Sequence, residues 1–340
     1  MHAVGYLQSL PASHPEALLD LTLPEPPLRP HDLRVRVQAV SVNPVDTKVR
    51  RNRAPQPGQP EVLGWDAVGV VESIGPAVTG FAVGDRVYYA GAIDRRGSNA
   101  ELHCVDHRIA ARAPRDATDA QAAALPLTAI TAWELLFDRL GVPEGGGAGQ
   151  TLLVVGAAGG VGSLLVQLAR QLTQLRIVAT ASRPDTQAWV RELGAHAVVD
   201  HHQPLRAQLA AAGVPEVHHV ASLTHTDQHW AQLVEVTAPQ GRIALIDDPT
   251  APLDVMALKR KSISLHWELM FTRSLYGTPD LAEQGRLLAR VADLVDAGQL
   301  RSTVTEVLSP INAAQLRAAH ARLESGQMRG KLVVTGGWGG

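Results

Sequence analysis

A chain of 340 residues, 45% apolar and 19% charged with a formal net charge of −2, can bury a sizeable core and is expected to do so in two domains. The near-neutral balance gives no global field to attract nucleic acid or a membrane surface. A single cysteine, Cys104, excludes an intramolecular disulfide and a cysteine-rich zinc site. With no signal peptide and no apolar run long enough to span a bilayer, the cytoplasm is the expected compartment.

The N-terminal part reads as β-rich. Leu33–Val42 alternates apolar and charged residues, as a half-buried antiparallel strand does. It runs into Asn43, Pro44 and Asp46, which suit the N-cap, first and third positions of a helix. Lys48, Arg50, Arg51 and Arg53 follow as a basic cluster. Ala67–Ile74, Asp85–Tyr89 and Ala100–Val105 read as further strands between Gly- and Pro-rich connectors, together a small barrel-like domain. From Asp119 the period turns helical, through Ala120–Leu125 and Thr128–Leu140.

Thr151–Leu172 (TLLVVGAAGGVGSLLVQLARQL) is the stretch with chemistry in it. An all-apolar run at Leu152–Val155 reads as a strand buried on both faces, and Leu164, Leu165, Leu168 and Leu172 fall at helical spacing. Between them the turn carries Gly156, Gly159, Gly160 and Gly162. Strand, glycine turn and helix, in that order, are what a dinucleotide pyrophosphate needs. The backbone of Gly156, Ala158, Gly159, Gly160, Val161 and Gly162 can approach the phosphates at a helix N-terminus. Against the strict glycine fingerprint, Ala157 replaces the first glycine. Arg176–Ala181 is the second strand of the unit, and Pro184–Leu193 the next helix. Where an NAD site carries an acid, this chain has Ala181, Ser182 and Arg183. A hydroxyl and a guanidinium bind a 2′-phosphate that a carboxylate would repel, so NADP(H) is the expected cofactor. A solvated arginine ahead of a proline-started helix is the alternative.

Later strands are expected at Ala197–Val199, Val217–Ala221, Arg242–Ile246 and Ser262–Leu265, alternating with helices as in a doubly wound parallel sheet. A long amphipathic helix at Leu281–Ala297, a segment Ile311–Ser325 and a strand Gly330–Val334 close the chain.

These residues resemble the medium-chain dehydrogenases/reductases, in their quinone oxidoreductase-like branch and its group of zinc-type alcohol dehydrogenase-like proteins. The resemblance covers nearly the whole chain and is carried by Ser41–Asp46, Gly64–Gly69, Gly84–Val87, Thr128–Trp133, Gly156–Gly162 and Gly326–Val333. It implies an α/β protein with a GroES-like catalytic domain at 1–122 and 270–340 and a Rossmann domain at 123–269. It further implies an active site in a cleft between the domains and a homodimer. Zinc-binding members place a Cys and a His where this chain has Asn43 and Trp65, neither a normal zinc ligand, so no metal is expected. The pairs His103/His107 and His225/His229 have ligand spacing, but no third ligand can be named for either.

Without a Lewis acid, the expected reaction is hydride transfer to a quinone or an α,β-unsaturated carbonyl, in which conjugation spreads the arriving charge. Asn43 is a candidate hydrogen-bond donor to the acceptor carbonyl, or else a helix cap. Lys48 stands where relatives carry a tyrosine; it either supplies positive charge or is an exposed helix lysine. Trp65 walls the pocket or packs in the core. Thr131 matches a position near the nicotinamide, and Asp46 a position that braces the cleft or simply caps its helix. Trp267, Met270 and Phe271 are expected over an apolar substrate or packed between domains. Alcohol or aldehyde dehydrogenase activity, and a nucleotide-bound RNA-binding or redox-sensing protein, are the competing classes; only Lys48–Arg53 favours RNA.

Overall fold

The computed structural model describes residues 1–214 and 216–339. They form two compact units, one of Met1–Ile130 with the segment from Phe271 onward, the other of Thr131–Met270. The first division falls at 130/131, later than the expected boundary at 122/123, and the helix Asp119–Ala123 packs on the first unit's long strand Asp32–Ser41.

The first unit is a GroES-like β-domain. Its seven-stranded sheet runs Val304–Leu308, Lys331–Thr335, Asp32–Ser41, Ala67–Ile74, Arg86–Tyr89 and Ala110–Arg112, with Leu102–Asp106 also paired to Asp32–Ser41. All pairs are antiparallel except the first two strands. A smaller sheet joins Leu19–Thr22, His2–Tyr6 and Glu61–Val62. Five of these strands, His2–Tyr6, Leu19–Thr22, Glu61–Val62, Ala110–Arg112 and Val304–Leu308, have no counterpart in the sequence reading. Leu19–Thr22 and Val304–Leu308 bury no residue fully and so show little apolar signal. His2–Tyr6 is interrupted by Gly5, where a Cβ would lie 2.5 Å from the Glu61 carbonyl oxygen. The helix Glu283–Asp296 is anchored to the sheet where the Tyr88 hydroxyl donates to the Leu288 carbonyl at 2.6 Å.

The second unit is a Rossmann-type parallel sheet. Spatially its strands run Ala197–Val199, Arg176–Thr180, Thr151–Val155, Val217–Ser222, Thr237–Leu245 and Ser264–Trp267. The third strand in space is thus the first in sequence, and the order reverses beside it. All five residues of Thr151–Val155 are buried, as its unbroken apolar run requires. The strand expected at Arg242–Ile246 starts earlier, at Thr237; Pro239 and a left-handed Gln240 break the alternation that would have marked it. Helices Leu205–Ala211 and Thr226–Val236 complete the alternation.

The helix expected at Thr128–Leu140 starts at Pro126 and widens to π geometry over Glu134–Arg139. The helical run Asp119–Arg139 corrects the sequence reading in one respect. With a mean hydropathy of 1.2 it does have the length and composition of a bilayer-crossing helix, yet 78% of its apolar window is buried inside the protein. That is how a core helix behaves.

A Cβ on Gly162 would lie 2.5 Å from Ala157 Cα and 2.6 Å from its carbonyl oxygen, whereas one on Gly159 meets only Gly156 O at 3.6 Å. Gly162→Ala is therefore expected to destabilise the fold by about 1–3 kcal/mol. Gly159→Ala should cost less than about 1 kcal/mol. Urea unfolding of the two variants checks the contrast.

Candidate functional site

In the second unit, the turn after Thr151–Val155 sits where the strand order reverses, the place where open α/β sheets bind ligands. Gly156 takes a positive φ of 78°, and its N–H donates to Thr180 Oγ1 at 3.1 Å on the neighbouring strand. A side chain there would meet Thr224 Cγ2 at 2.9 Å. Gly159 is the N-cap of helix Gly160–Leu172 and supplies no capping side chain. The first-turn amides of Gly160, Val161 and Gly162 have no intrahelical acceptor, so they and the helix dipole remain available to an anion. Ala158 is buried beneath the turn.

At the end of the next strand, Ser182 is half-buried and Arg183 is the N-cap of helix Pro184–Glu192. The Arg183 guanidinium is 42% exposed, and its Nε lies 3.3 Å from Asp185 Oδ1. Asp185 is a carboxylate that the sequence reading left out of this corner. Thr131 is buried in the helix Pro126–Trp133.

Sequence reasoning also missed a carboxyl pair in this unit. Glu134 and Glu268 are both buried, and Arg139 donates from Nε to Glu268 Oε2 at 2.8 Å with Nη2 3.9 Å from Glu134 Oε2. Burial, then the Glu134 charge, raises the Glu268 carboxyl far above the usual range. Two acids inside apolar runs, AWELLF and HWELMF, were the available signal.

In the first unit, Asn43, Asp46, Asp66 and Lys331 form one buried network, each at most 3% exposed. Asp46 accepts the Asn43 N–H at 2.7 Å, closing the start of helix Pro44–Asn52, and the Gly64 N–H at 3.0 Å. Gly64 has a φ of +112°, and a side chain there would strike Asn99. Asp66 accepts the Leu127 N–H at 2.7 Å, Asn43 Nδ2 at 2.8 Å and Lys331 Nζ at 3.0 Å. Lys331 Nζ also donates to Asn43 Oδ1 at 2.5 Å and to the Val42 carbonyl at 3.1 Å. Burial raises both carboxyls, that of Asp46 to about 7, against the opposing pull of Lys331 and the backbone donors.

This arrangement corrects the reading of Asn43 as a substrate donor. Its amide has two protons; one goes to Asp66, the other points to the Ser41 carbonyl at 3.4 Å. Asp46 both caps and braces. Trp65 is buried, with Nε1 donating to the Ala92 carbonyl at 3.2 Å and the Phe271 ring edge-on at 6.2 Å. Lys48 is half-buried on its helix. The basic cluster is largely consumed: Arg50 is fully buried against His320 and Glu324, and Arg53 pairs with Glu61 at 3.0 Å. Of the three expected pocket residues, Trp267 is 55% exposed, and Met270 and Phe271 are buried. His103 is spent on Tyr89 and the Arg96 carbonyl and His107 on the His31 carbonyl, so that pair is no metal site.

Two family models match the chain, the alcohol dehydrogenase GroES-like domain at residues 29–116 and the zinc-binding dehydrogenase at residues 193–334. A zinc-type alcohol dehydrogenase-like protein of Staphylococcus epidermidis is 37% identical over 98% of this chain and 99% of its own length. A quinone oxidoreductase of Pseudomonas aeruginosa is 30% identical over 90% of this chain and 91% of its own. Among solved structures, a provisionally assigned zinc-dependent alcohol dehydrogenase protein from Rhizobium etli CFN 42 superposes with a TM-score of 0.95 at 56% identity, covering 99% of this chain and 98% of that one. A mycobacterial protein complexed with NADPH superposes with a TM-score of 0.84 at 26% identity, covering 99% of this chain and 100% of that one. The chain belongs to the medium-chain dehydrogenase/reductase superfamily, in its quinone oxidoreductase-like branch. It is an oxidoreductase of that family.

The Lys331–Asp66 pair is buried on both sides, at 4% and 0% side-chain exposure. Lys331→Met leaves two carboxyls without their cation, and is expected to cost about 3–5 kcal/mol. Adding Asp66→Asn should recover part of that loss in urea unfolding.

Proposed function

We propose that the chain is an NADPH-dependent reductase that delivers hydride to quinones or α,β-unsaturated carbonyls without a catalytic metal. The uncapped start of helix Gly160–Leu172 at the strand-order reversal carries the cofactor half of this reading. The amides of Gly160, Val161 and Gly162 hold the pyrophosphate, and Ser182 and Arg183 receive the 2′-phosphate. When bound, NADPH supplies the hydride.

The donor chemistry at Asn43 and Trp65 supports the metal-free half. Zinc needs lone pairs from nitrogen, sulfur or oxygen. The indole has only an N–H to give, and it is spent on Ala92. Asn43 Oδ1 already accepts from an ammonium. Residues of these kinds do not build a zinc site, and without a Lewis acid the acceptor must spread its own charge. Quinones and enones do so through conjugation; a saturated aldehyde concentrates it on one oxygen. A homodimer fits the outer edge strand Ser264–Trp267, which leaves Trp267 and Leu269 more than half exposed. A cytoplasmic setting fits the single buried thiol of Cys104.

Loss of a charge-assisted arginine–phosphate contact is worth about 1.5–3 kcal/mol, so Arg183→Ala should weaken NADPH binding roughly 10- to 100-fold and leave NADH nearly unchanged. Titrating both nucleotides into both proteins checks it; equal NADPH affinity would remove Arg183 from the phosphate site. For the reaction, kcat/KM for a small quinone or enone is expected to exceed that for a saturated aldehyde by at least about 10²-fold. Chelator should leave the rate unchanged. If saturated aldehydes or primary alcohols are the better substrates and chelator abolishes turnover, alcohol dehydrogenase activity replaces this reading.

A further inference from the structure

His229, of the pair His225/His229 whose spacing names no third ligand, lies on a helix of the second unit beside a turn that carries two more histidines. Asp200, His201 and His202 form the turn after strand Ala197–Val199, and each can offer one ligand atom within 4.8 Å of the others. The rings of His201 and His202 are 4.4 Å apart, and His229, from helix Thr226–Val236, sets its ring edge-on to His201 at 5.7 Å. His225, at the N-cap of that helix, holds a left-handed φ of 51° and bonds Thr224 Oγ1 through Nδ1 at 2.7 Å.

We propose that Asp200, His201 and His202, with His229 beside them, form a site for one divalent transition cation of the zinc type, separate from the cofactor turn. Imidazoles with one carboxylate are a donor set that zinc, cobalt or nickel accepts and that magnesium or calcium does not favour. His201 Nδ1 is buried without a hydrogen-bond partner, although buried polar nitrogens are almost always satisfied; a cation in the cluster explains it. The turn is already held, since the Gln208 side chain bonds the Asp200 N–H and carbonyl at 2.8 Å each, and Asp200 Oδ1 accepts the His202 N–H at 2.9 Å. Asp200 keeps its second oxygen for the ion. A bound cation would staple the turn after the sheet's edge strand to the first turns of helix Thr226–Val236.

The test uses the full chain, stripped with chelator and dialysed. Zinc titrated by calorimetry should bind at one equivalent, magnesium should not, and cobalt should give the intense visible bands of tetrahedral nitrogen–oxygen coordination. The double variant His201→Asn, His229→Asn should weaken zinc by more than about tenfold and lose the zinc-dependent rise in Tm that the natural chain shows. If that variant does not fold, His202→Asn, at an exposed position, should weaken zinc in the same way. Failure to bind at one equivalent, or binding unchanged in the variants, overturns the site. NADPH affinity, measured in parallel, reports on the cofactor turn independently.

Discussion

A buried ammonium between two buried carboxylates holds the first unit in register. Lys331 comes from a strand at the far end of the sequence, Asp66 from the start of Ala67–Ile74, Asp46 from the first turn of its helix, and Asn43 from the end of Asp32–Ser41. Removing such charges from water is costly, and the cost is offset only when every lone pair and proton has a partner. Here the partners are the amides of Asn43, Gly64 and Leu127 and the carbonyl of Val42. No member can shift without exposing another. The motifs Ser41–Asp46, Gly64–Gly69 and Gly326–Val333 stand far apart in the chain because they are the separate pieces of this one network.

The second unit follows the opposite rule at its working end, where polar groups are left open. Helix Gly160–Leu172 begins without a side-chain cap, which in a purely structural helix would be a lost stabilisation. Gly162 lets the helix start approach Ala157, and Gly156 bends the chain past Thr224. The same compactness that excludes side chains leaves the amides facing outward. One strand over, Arg183 stands beside Asp185, with Nε 3.3 Å from Oδ1.

The neutral amide of Asn43 is turned inward, and Trp65 is packed against Phe271. The charged residues nearest them are neutralised within their own network. Glu134 and Glu268, flanking Arg139, add a buried carboxyl pair in which burial and the Glu134 charge raise Glu268.

What the sequence alone determined was local. An unbroken apolar run before a glycine turn means a buried strand, and glycine before a leucine stripe means an open helix start, because each signal lies within a few residues of its own cause. The strand Ala67–Ile74 was legible to the residue. Tertiary structure decided what those side chains face. Whether Asn43 points at a ligand or at Lys331 depends on a strand almost three hundred residues away, and no spacing rule reaches that far. Likewise His225 and His229 made a pair without a third member until folding brought the Asp200–His202 turn beside them. Backbone preference is set by neighbours in sequence, whereas the partner of a side chain is set by packing.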